Sequence, residues 1–123
     1  MKRRKSIGVA CLVLFASAAL SAHHSITAYY DTSRQLTLKG PIAKIEWTNP
    51  HAFVHVDVND EHGATTSWAV ETDSPNVLSR GGWTRDTLHI DDIVTVTGYP
   101  SKKGTPALRL ITLALADGHK LKG

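Results

Sequence analysis

The chain has 123 residues, of which 41% are hydrophobic, and a formal net charge of +3 at pH 7. Four of its fourteen Lys and Arg residues stand at positions 2–5, so the chain after position 22 has ten basic and eleven acidic residues and a net charge of −1. This balance argues against nucleic-acid binding, which depends on a surplus of Lys and Arg that neutralises phosphates.

Residues 1–22 have the pattern of a cleaved secretory signal peptide. Positions 2–5 are all basic, and an uncharged apolar stretch follows over residues 7–20. That stretch is shorter than the roughly 20 apolar residues of a membrane-spanning helix. We expect cleavage after the small residues Ser21-Ala22, or alternatively after Leu20. The expected product is a periplasmic protein with no membrane span after processing.

The mature chain predicts a single domain over residues 23–123, with a polar lead-in over residues 23–34. It has no cysteine, because Cys11 lies in the signal, so disulfides are excluded. Val54 and Val56 belong to a strictly alternating segment that predicts a strand with one buried face. The predicted strands cover residues 35–47, 52–58, 65–72, 93–98 and 107–116.

Two local signals organise these strands. Gly40-Pro41 interrupts the first one and predicts a bend or bulge there. Asp73 or Ser74 followed by Pro75 predicts the start of a short helix that ends at Gly81-Gly82. Three strands, a helix and two strands, with a long bent first strand, are typical of an OB-like five-stranded Greek-key β-barrel. An open β-sandwich is the alternative.

Several short motifs resemble those of a family of small exported bacterial proteins, the domain-of-unknown-function family 6152. They are His23-His24-Ser25, Tyr30-Asp31, Trp47-Thr48-Asn49-Pro50-His51, Ser74-Pro75-Asn76 and Gly82-Trp83-Thr84. The resemblance spans nearly all of the mature chain and implies export and a single domain, but no established activity. Residues 105–115 are more apolar than the resemblance predicts.

The mature chain is rich in histidine, the commonest metal ligand of proteins. Its seven histidines are His23, His24, His51, His55, His62, His89 and His119. Cleavage after Ala22 would give His23 a free α-amine beside its imidazole, and together these can chelate copper with His24 or His51 as a further ligand. Cleavage after Leu20 would place His23 third in the chain, where it also binds Cu(II) or Ni(II). No Cys or Met remains after processing, so Cu(II) or Zn(II) fits better than Cu(I).

The sequence thus predicts a metal site at His23, His24 and His51. The simpler alternative is a solvated N-terminus, with His51 hydrogen-bonded so that it fixes the turn in which it lies. His55 and Asp57 share a strand face and could also chelate, since residues two apart are about 6.6 Å apart along a strand.

Other residues have both a functional and a structural interpretation. We predict a ligand or partner surface, whose residues are Trp47, Asn49, Pro50 and Trp83. The alternative for the tryptophans is core packing, because small barrels need bulky residues inside. Glu71 and Asp73 lie on one strand face and could perform acid–base chemistry, although a helix cap explains Asp73 more simply. The sequence has no nucleophile motif, phosphate-binding glycine loop or Cys-x-x-Cys.

These observations predict a periplasmic, non-catalytic binding or accessory module whose partner is a small ligand or an envelope protein, with Cu(II) or Zn(II) as the candidate cofactor. A small copper-dependent redox enzyme that uses His23 is one alternative. A purely structural, partner-binding envelope protein is another.

Overall fold

The computed structural model describes residues 26–123. Its elements are β1 (Leu36–Glu46), β2 (Phe53–Asn59), β3 (Thr65–Glu71), α1 (Pro75–Arg80), β4 (Ile93–Pro100), β5 (Ala107–Leu115) and β6 (Lys120–Lys122). The five predicted strands and the helix are all present, each within two residues of its predicted limits. The short strand β6 was not predicted, because three residues are too few for a periodic pattern.

The strands form a closed barrel. The first half of β1 pairs with β4 and its second half with β2, both antiparallel. The barrel closes where β3 and β5 run parallel to each other. β6 extends the sheet beyond β5. The prediction of an OB-like five-stranded Greek-key barrel with a helix between strands 3 and 4 is therefore confirmed.

The bend of β1 allows one strand to serve both halves of the barrel. The pairing with β2 shifts register between Ile42 and Lys44, which marks a bulge just after the predicted Gly40-Pro41 break. Gly40 itself is required by close packing, because a Cβ there would lie 1.9 Å from the carbonyl oxygen of Asp57. The absence of a side chain thus lets β1 cross close to β2.

The barrel interior is filled by alternate residues of the strands. Fully or almost fully buried side chains include Ile42, Val54, Val56, Val70, Val94, Val96, Leu108 and Leu113. Leu78 of α1 and Trp83 belong to the same core cluster. The indole N–H of Trp83 donates a hydrogen bond of 2.9 Å to the carbonyl of Lys122, which ties β6 to the segment after the helix.

Helix α1 has the ends that the sequence predicts. Ser74 is the N-cap, and its hydroxyl oxygen accepts a hydrogen bond from the Val77 amide. Pro75 occupies the first turn, and the Gly81 amide donates to the carbonyl of Leu78. Ser74 rather than Asp73 therefore caps the helix, which leaves the carboxylate of Asp73 available for another contact.

No helix within residues 26–123 has the length and apolar character needed to span a membrane. The predicted signal peptide and the first residues of the predicted lead-in lie outside the described residues.

Candidate functional site

The segment just before β1 lies across the β4–β5 loop. Tyr30 forms a β-bridge with Ser101, and the Asp31 amide donates to the carbonyl of Pro100 at 2.9 Å. The Lys102 amide donates to the carbonyl of Tyr29 at 3.0 Å. These backbone hydrogen bonds hold the segment in place, so that the side chain of Tyr30, only 9% exposed, reaches β3.

Tyr30, Glu71 and His51 are linked on the outside of the barrel by one hydrogen bond and one close histidine–carboxylate contact. The Tyr30 hydroxyl donates to Oε2 of Glu71, and Nδ1 of His51 lies 2.9 Å from Oε1 of the same carboxylate. Nδ1 also lies 2.9 Å from the carbonyl oxygen of Thr72. Glu71 faces outward because its neighbours Val70 and Thr72 are buried, and strand residues alternate between faces.

These contacts determine which nitrogen of His51 carries the proton. Both neighbours of Nδ1 are oxygen acceptors, so Nδ1 must be the donor. In the neutral ring, Nε2 then holds a lone pair, and no described residue donates a hydrogen bond to it. Nε2 is therefore the atom of this network that can accept a hydrogen bond from a ligand or coordinate a metal.

Burial raises the pKa of the Tyr30 hydroxyl far above its usual value, and the hydrogen bond to Glu71 and the charge of that carboxylate raise it further. Arg109 opposes this shift but is outweighed. Tyr30 consequently remains a hydrogen-bond donor at neutral pH, and it keeps one oxygen of Glu71 occupied.

Arg109 and Asp73 form an ion pair beside Tyr30, Glu71 and His51. Arg109 lies opposite Glu71 in the parallel pairing of β3 and β5, is 6% exposed, and donates from Nη2 to Asp73. Its Nη1 is buried and has no hydrogen-bond partner among the described residues. A buried charge is costly unless it is paired and hydrogen-bonded, so the bond to Asp73 is the contact that compensates the charge of Arg109.

A two-armed groove surrounds Tyr30, and we call it the outer groove. Its helix arm, of about 300 Å³, contains His51, Asp73, Ser74 and Arg109. Its loop arm, of about 310 Å³, contains Phe53, Ser101, Lys103 and Thr105. Both arms include Tyr29, Tyr30 and Glu71, so they are two parts of one surface.

The outer groove lies on the face that OB folds commonly use for ligands. Those folds bind oligonucleotides and oligosaccharides on strands 2 and 3, between the loop that joins strands 1 and 2 and the loop that joins strands 4 and 5. Here Phe53 and Glu71 come from β2 and β3, while His51 and Lys103 come from the two loops. The position of the outer groove in the fold and the polar groups that line it therefore both indicate a ligand-binding surface.

Of the three predicted metal ligands, only His51 lies within the described residues, and it lines the helix arm. His23 and His24 lie outside them. Within residues 26–123 no group of three or more His, Cys, Asp or Glu side chains is arranged to hold a metal. The metal site at His23, His24 and His51 thus stays a prediction.

The other predicted chelating pair, His55 and Asp57, is not brought together by a hydrogen bond. Instead, Nε2 of His55 lies 2.8 Å from Oε2 of Glu46, and the ring stacks on Phe53 with centroids 6.5 Å apart. His62 and His89 are exposed loop residues, each beside a carboxylate of its own loop.

The residues predicted as a ligand or partner surface have different environments. Pro50 is exposed and lines the helix arm, and Asn49 beside it is also exposed. Trp47 is partly buried against the core, and Trp83 is only 2% exposed. The apolar cleft between the two tryptophans has room for about 10 Å³, no more than a single water. Trp83 therefore packs in the core and offers no ligand surface.

Sequence reasoning missed Arg109 and the contacts of Tyr30. Arg109 interrupts an apolar strand between Leu108 and Leu110, and that interruption was the available signal. A lone charged residue in such a strand needs a partner on its own face. The partner, Asp73, is 36 positions away and is identified only when β3 and β5 pair.

Comparison with known proteins gives a family for the chain and no curated relative. A search of curated proteins finds no match. The model of a family of unknown function, DUF6152, matches residues 10–108, which is most of the chain. The protein with this barrel and this outer groove belongs to the DUF6152 family.

Proposed function

We propose that this protein is an exported, non-catalytic binding module that holds a small ligand in the outer groove. The observation that carries the proposal is the linked group of His51, Glu71 and Tyr30, which fixes the ring of His51 and leaves Nε2 unpaired among the described residues. Ligand pockets commonly combine a preformed cavity with a few fixed polar groups, and each arm has the volume of a small ligand site.

The described residues around His51 support binding better than catalysis. Ser74 is the serine of the helix arm, and its oxygen caps α1 by accepting from Val77. No hydrogen bond joins Ser74 to His51 in this part of the chain, although a nucleophile and its base need one.

The test of this function is native mass spectrometry of the processed protein isolated from the periplasm. We expect a co-purified small molecule that is lost from a His51→Ala variant and retained by a His55→Ala variant, in which the other histidine–glutamate pair is broken. The same spectrum gives the mass of the processed chain and so tests export and the bond that is cleaved. A protein that carries no ligand, or one that both variants retain equally, would contradict the proposal.

Cu(II) or Zn(II) binding is the second candidate, and the tautomer of His51 favours it. Metal-binding histidines usually donate their other ring N–H to a carboxylate or a backbone carbonyl. Nδ1 of His51 is hydrogen-bonded to the carbonyl of Thr72 and lies 2.9 Å from the carboxylate of Glu71. Ile26 lines the same arm as His51. His24 precedes Ile26 by two residues, so chain length alone allows it to reach about 7 Å from that position. His23, His24 and His51 would be the ligands.

A competition titration of the processed protein with Cu(II), and separately with Zn(II), tests this candidate. We expect at least tenfold weaker binding after His51→Ala and after the double substitution His23→Ala, His24→Ala. Glu71→Gln should weaken binding about 10- to 100-fold, because it removes the carboxylate that orients the ring. His55→Ala is the matched control and should bind like the parent. Unchanged affinity in His51→Ala would exclude His51 as a ligand and reject the metal site.

A further inference from the structure

We infer that the ligand of the outer groove is a neutral oligosaccharide of two to three sugar units. This inference rests on the proposed function, namely that the groove binds a ligand at all. Three features of the groove carry it: its charge balance, its exposed aromatic rings and its mixture of hydrogen-bond donors and acceptors.

The charged side chains of the groove cancel one another. The helix arm holds Asp73 and Arg109, which pair with each other, and the two arms share Glu71 while the loop arm adds Lys103. Two carboxylates thus face two cations. A polyanion such as a nucleic acid would meet both carboxylates, and a polycation would meet Arg109 and Lys103. Each would be repelled by the side chains that carry its own sign of charge. A neutral polar ligand avoids both repulsions.

Aromatic rings are available on both sides of Tyr30. Tyr29 is 61% exposed and borders both arms, and Phe53 lies in the loop arm with only part of its surface buried. The face of an aromatic ring is electron-rich, and the C–H groups on one side of a sugar ring are electron-poor, so the two surfaces stack favourably.

The polar groups suit vicinal hydroxyls, each of which both donates and accepts a hydrogen bond. Asp73 uses Oδ1 for Arg109 and has no hydrogen bond to Oδ2 from any described residue. Nε2 of His51 is an open acceptor. A sugar unit in the helix arm can donate to Asp73 and His51, while an oxygen of a unit in the loop arm can accept from Lys103.

The volume of the groove sets the length of the ligand. The arms measure about 300 Å³ and 310 Å³ and lie next to each other, since both are lined by Tyr29 and Tyr30. A ligand that fills both must be elongated, with its centre at these rings. A free monosaccharide or a single ion would occupy only one arm.

The test is an NMR titration of the ¹⁵N-labelled processed protein with chitotriose and with cellotriose. We expect saturable shifts of backbone amides in both arms, near His51 and near Ser101–Thr105, with at least one of the two sugars. Tyr29→Ala should weaken binding at least tenfold, whereas Tyr29→Phe should retain it because stacking needs only the ring. Tyr29 is exposed, so neither change threatens the fold. Ile90→Ala removes an exposed apolar side chain outside the groove and serves as the control.

Parallel titrations with a neutral trialanine amide and with Zn(II) separate this inference from the proposed function. Groove shifts with either of these, but with neither sugar, would overturn the oligosaccharide while the binding function stands. Sugar binding that is unchanged by Tyr29→Ala, or that shifts amides only outside both arms, would overturn the site. No groove shifts with any of the four probes, together with a ligand-free native mass spectrum, would overturn both proposals.

Discussion

Two histidine–glutamate pairs on the barrel strands and their adjoining loop have nearly the same distance and exposure but different surroundings. His51 and Glu71 are 2.9 Å apart, and His55 and Glu46 are 2.8 Å apart. In each pair one side chain is about 37% exposed and the other 22–23% exposed. Neither distance nor exposure therefore distinguishes a candidate site from an ordinary surface contact.

The His55–Glu46 pair belongs to an open strand surface. The second oxygen of Glu46 lies 3.1 Å from Nζ of Lys44, which is 63% exposed. The hydrogen bond from His55 lowers the pKa of Glu46, and the hydrogen bond from Lys44 lowers it further. All of these partners are residues of β1 and β2, so nothing from a distant part of the chain is needed to form the pair.

The His51–Glu71 pair instead contacts the segment before β1. Tyr30 occupies the second oxygen of Glu71, and the buried Arg109 pairs with Asp73 beside it. The same two residue types thus form a local hydrogen-bonded pair in one place and part of a larger network in the other. The comparison indicates that the outer groove depends on the segment before β1. A histidine–glutamate pair alone does not form such a groove.

The largest expected effect comes from the Arg109–Asp73 ion pair. Asp73→Ala should lower the free energy of unfolding by about 3 kcal/mol, because it leaves the buried guanidinium of Arg109 without its charge partner. Lys44→Met at the open pair should leave the unfolding midpoint within experimental error, since exposed pairs contribute little. Urea denaturation of both variants measures the contrast. Equal losses in the two variants would remove the energetic distinction between the regions.

Tyr30→Phe should cost about 1.5 kcal/mol, the usual contribution of a hydrogen bond to a charged acceptor. Tyr99→Phe is the control, because the Tyr99 hydroxyl has no hydrogen bond to a described residue. The raised pKa of Tyr30 also predicts a pH effect. Its stabilisation is complete below the unfolded tyrosine pKa near 10 and declines as the pH rises above that value, because only the unfolded chain releases the proton there.

Urea midpoints of the parent and of Tyr30→Phe, taken between pH 8 and pH 11.5, measure how steeply stability declines with pH. The parent should lose stability above pH 10 more steeply than the variant. Parallel profiles would mean that the Tyr30 hydroxyl titrates alike in the folded and unfolded chain, and would contradict the buried hydrogen bond to Glu71.

Glu46→Gln should have a small effect on stability. Its lowered pKa means that the ionised carboxylate stabilises the fold above the unfolded glutamate pKa, and that this contribution is lost as the pH falls through the folded value. Thermal melts should therefore show a slight decrease in Tm at pH 7 that disappears at pH 3. A loss of stability larger than that of Tyr30→Phe would mean that the His55–Glu46 pair stabilises the fold more than the Tyr30–Glu71 hydrogen bond does.

The last prediction concerns proton positions and involves no change in stability. The neutral ring of His51 should carry its proton on Nδ1, which faces Glu71 and the Thr72 carbonyl. The neutral ring of His55 should carry it on Nε2, which faces Glu46. Long-range ¹H–¹⁵N correlation spectra of the two imidazoles distinguish these tautomers. The same tautomer in both rings would contradict one of the two hydrogen-bond assignments.

The sequence alone determined the order and the approximate limits of β1 to β5 and α1, because the signals for these elements are local. The alternation around Val54 and Val56 specified a buried strand face, and Ser74-Pro75 with Gly81 specified both ends of α1. The Gly40-Pro41 break placed the bend of β1 close to where the register shifts. Each of these signals depends on the backbone geometry or burial of a few neighbouring residues.

The candidate site was decided only by the tertiary structure. The sequence singled out His51, but not its link to Tyr30 through Glu71, nor the partner of Arg109. Tyr30 and Glu71 are 41 positions apart, and Arg109 and Asp73 are 36 apart. Hydrogen bonds depend on angstrom-scale distances between side chains, and only closure of the barrel between β3 and β5 brings these residues together.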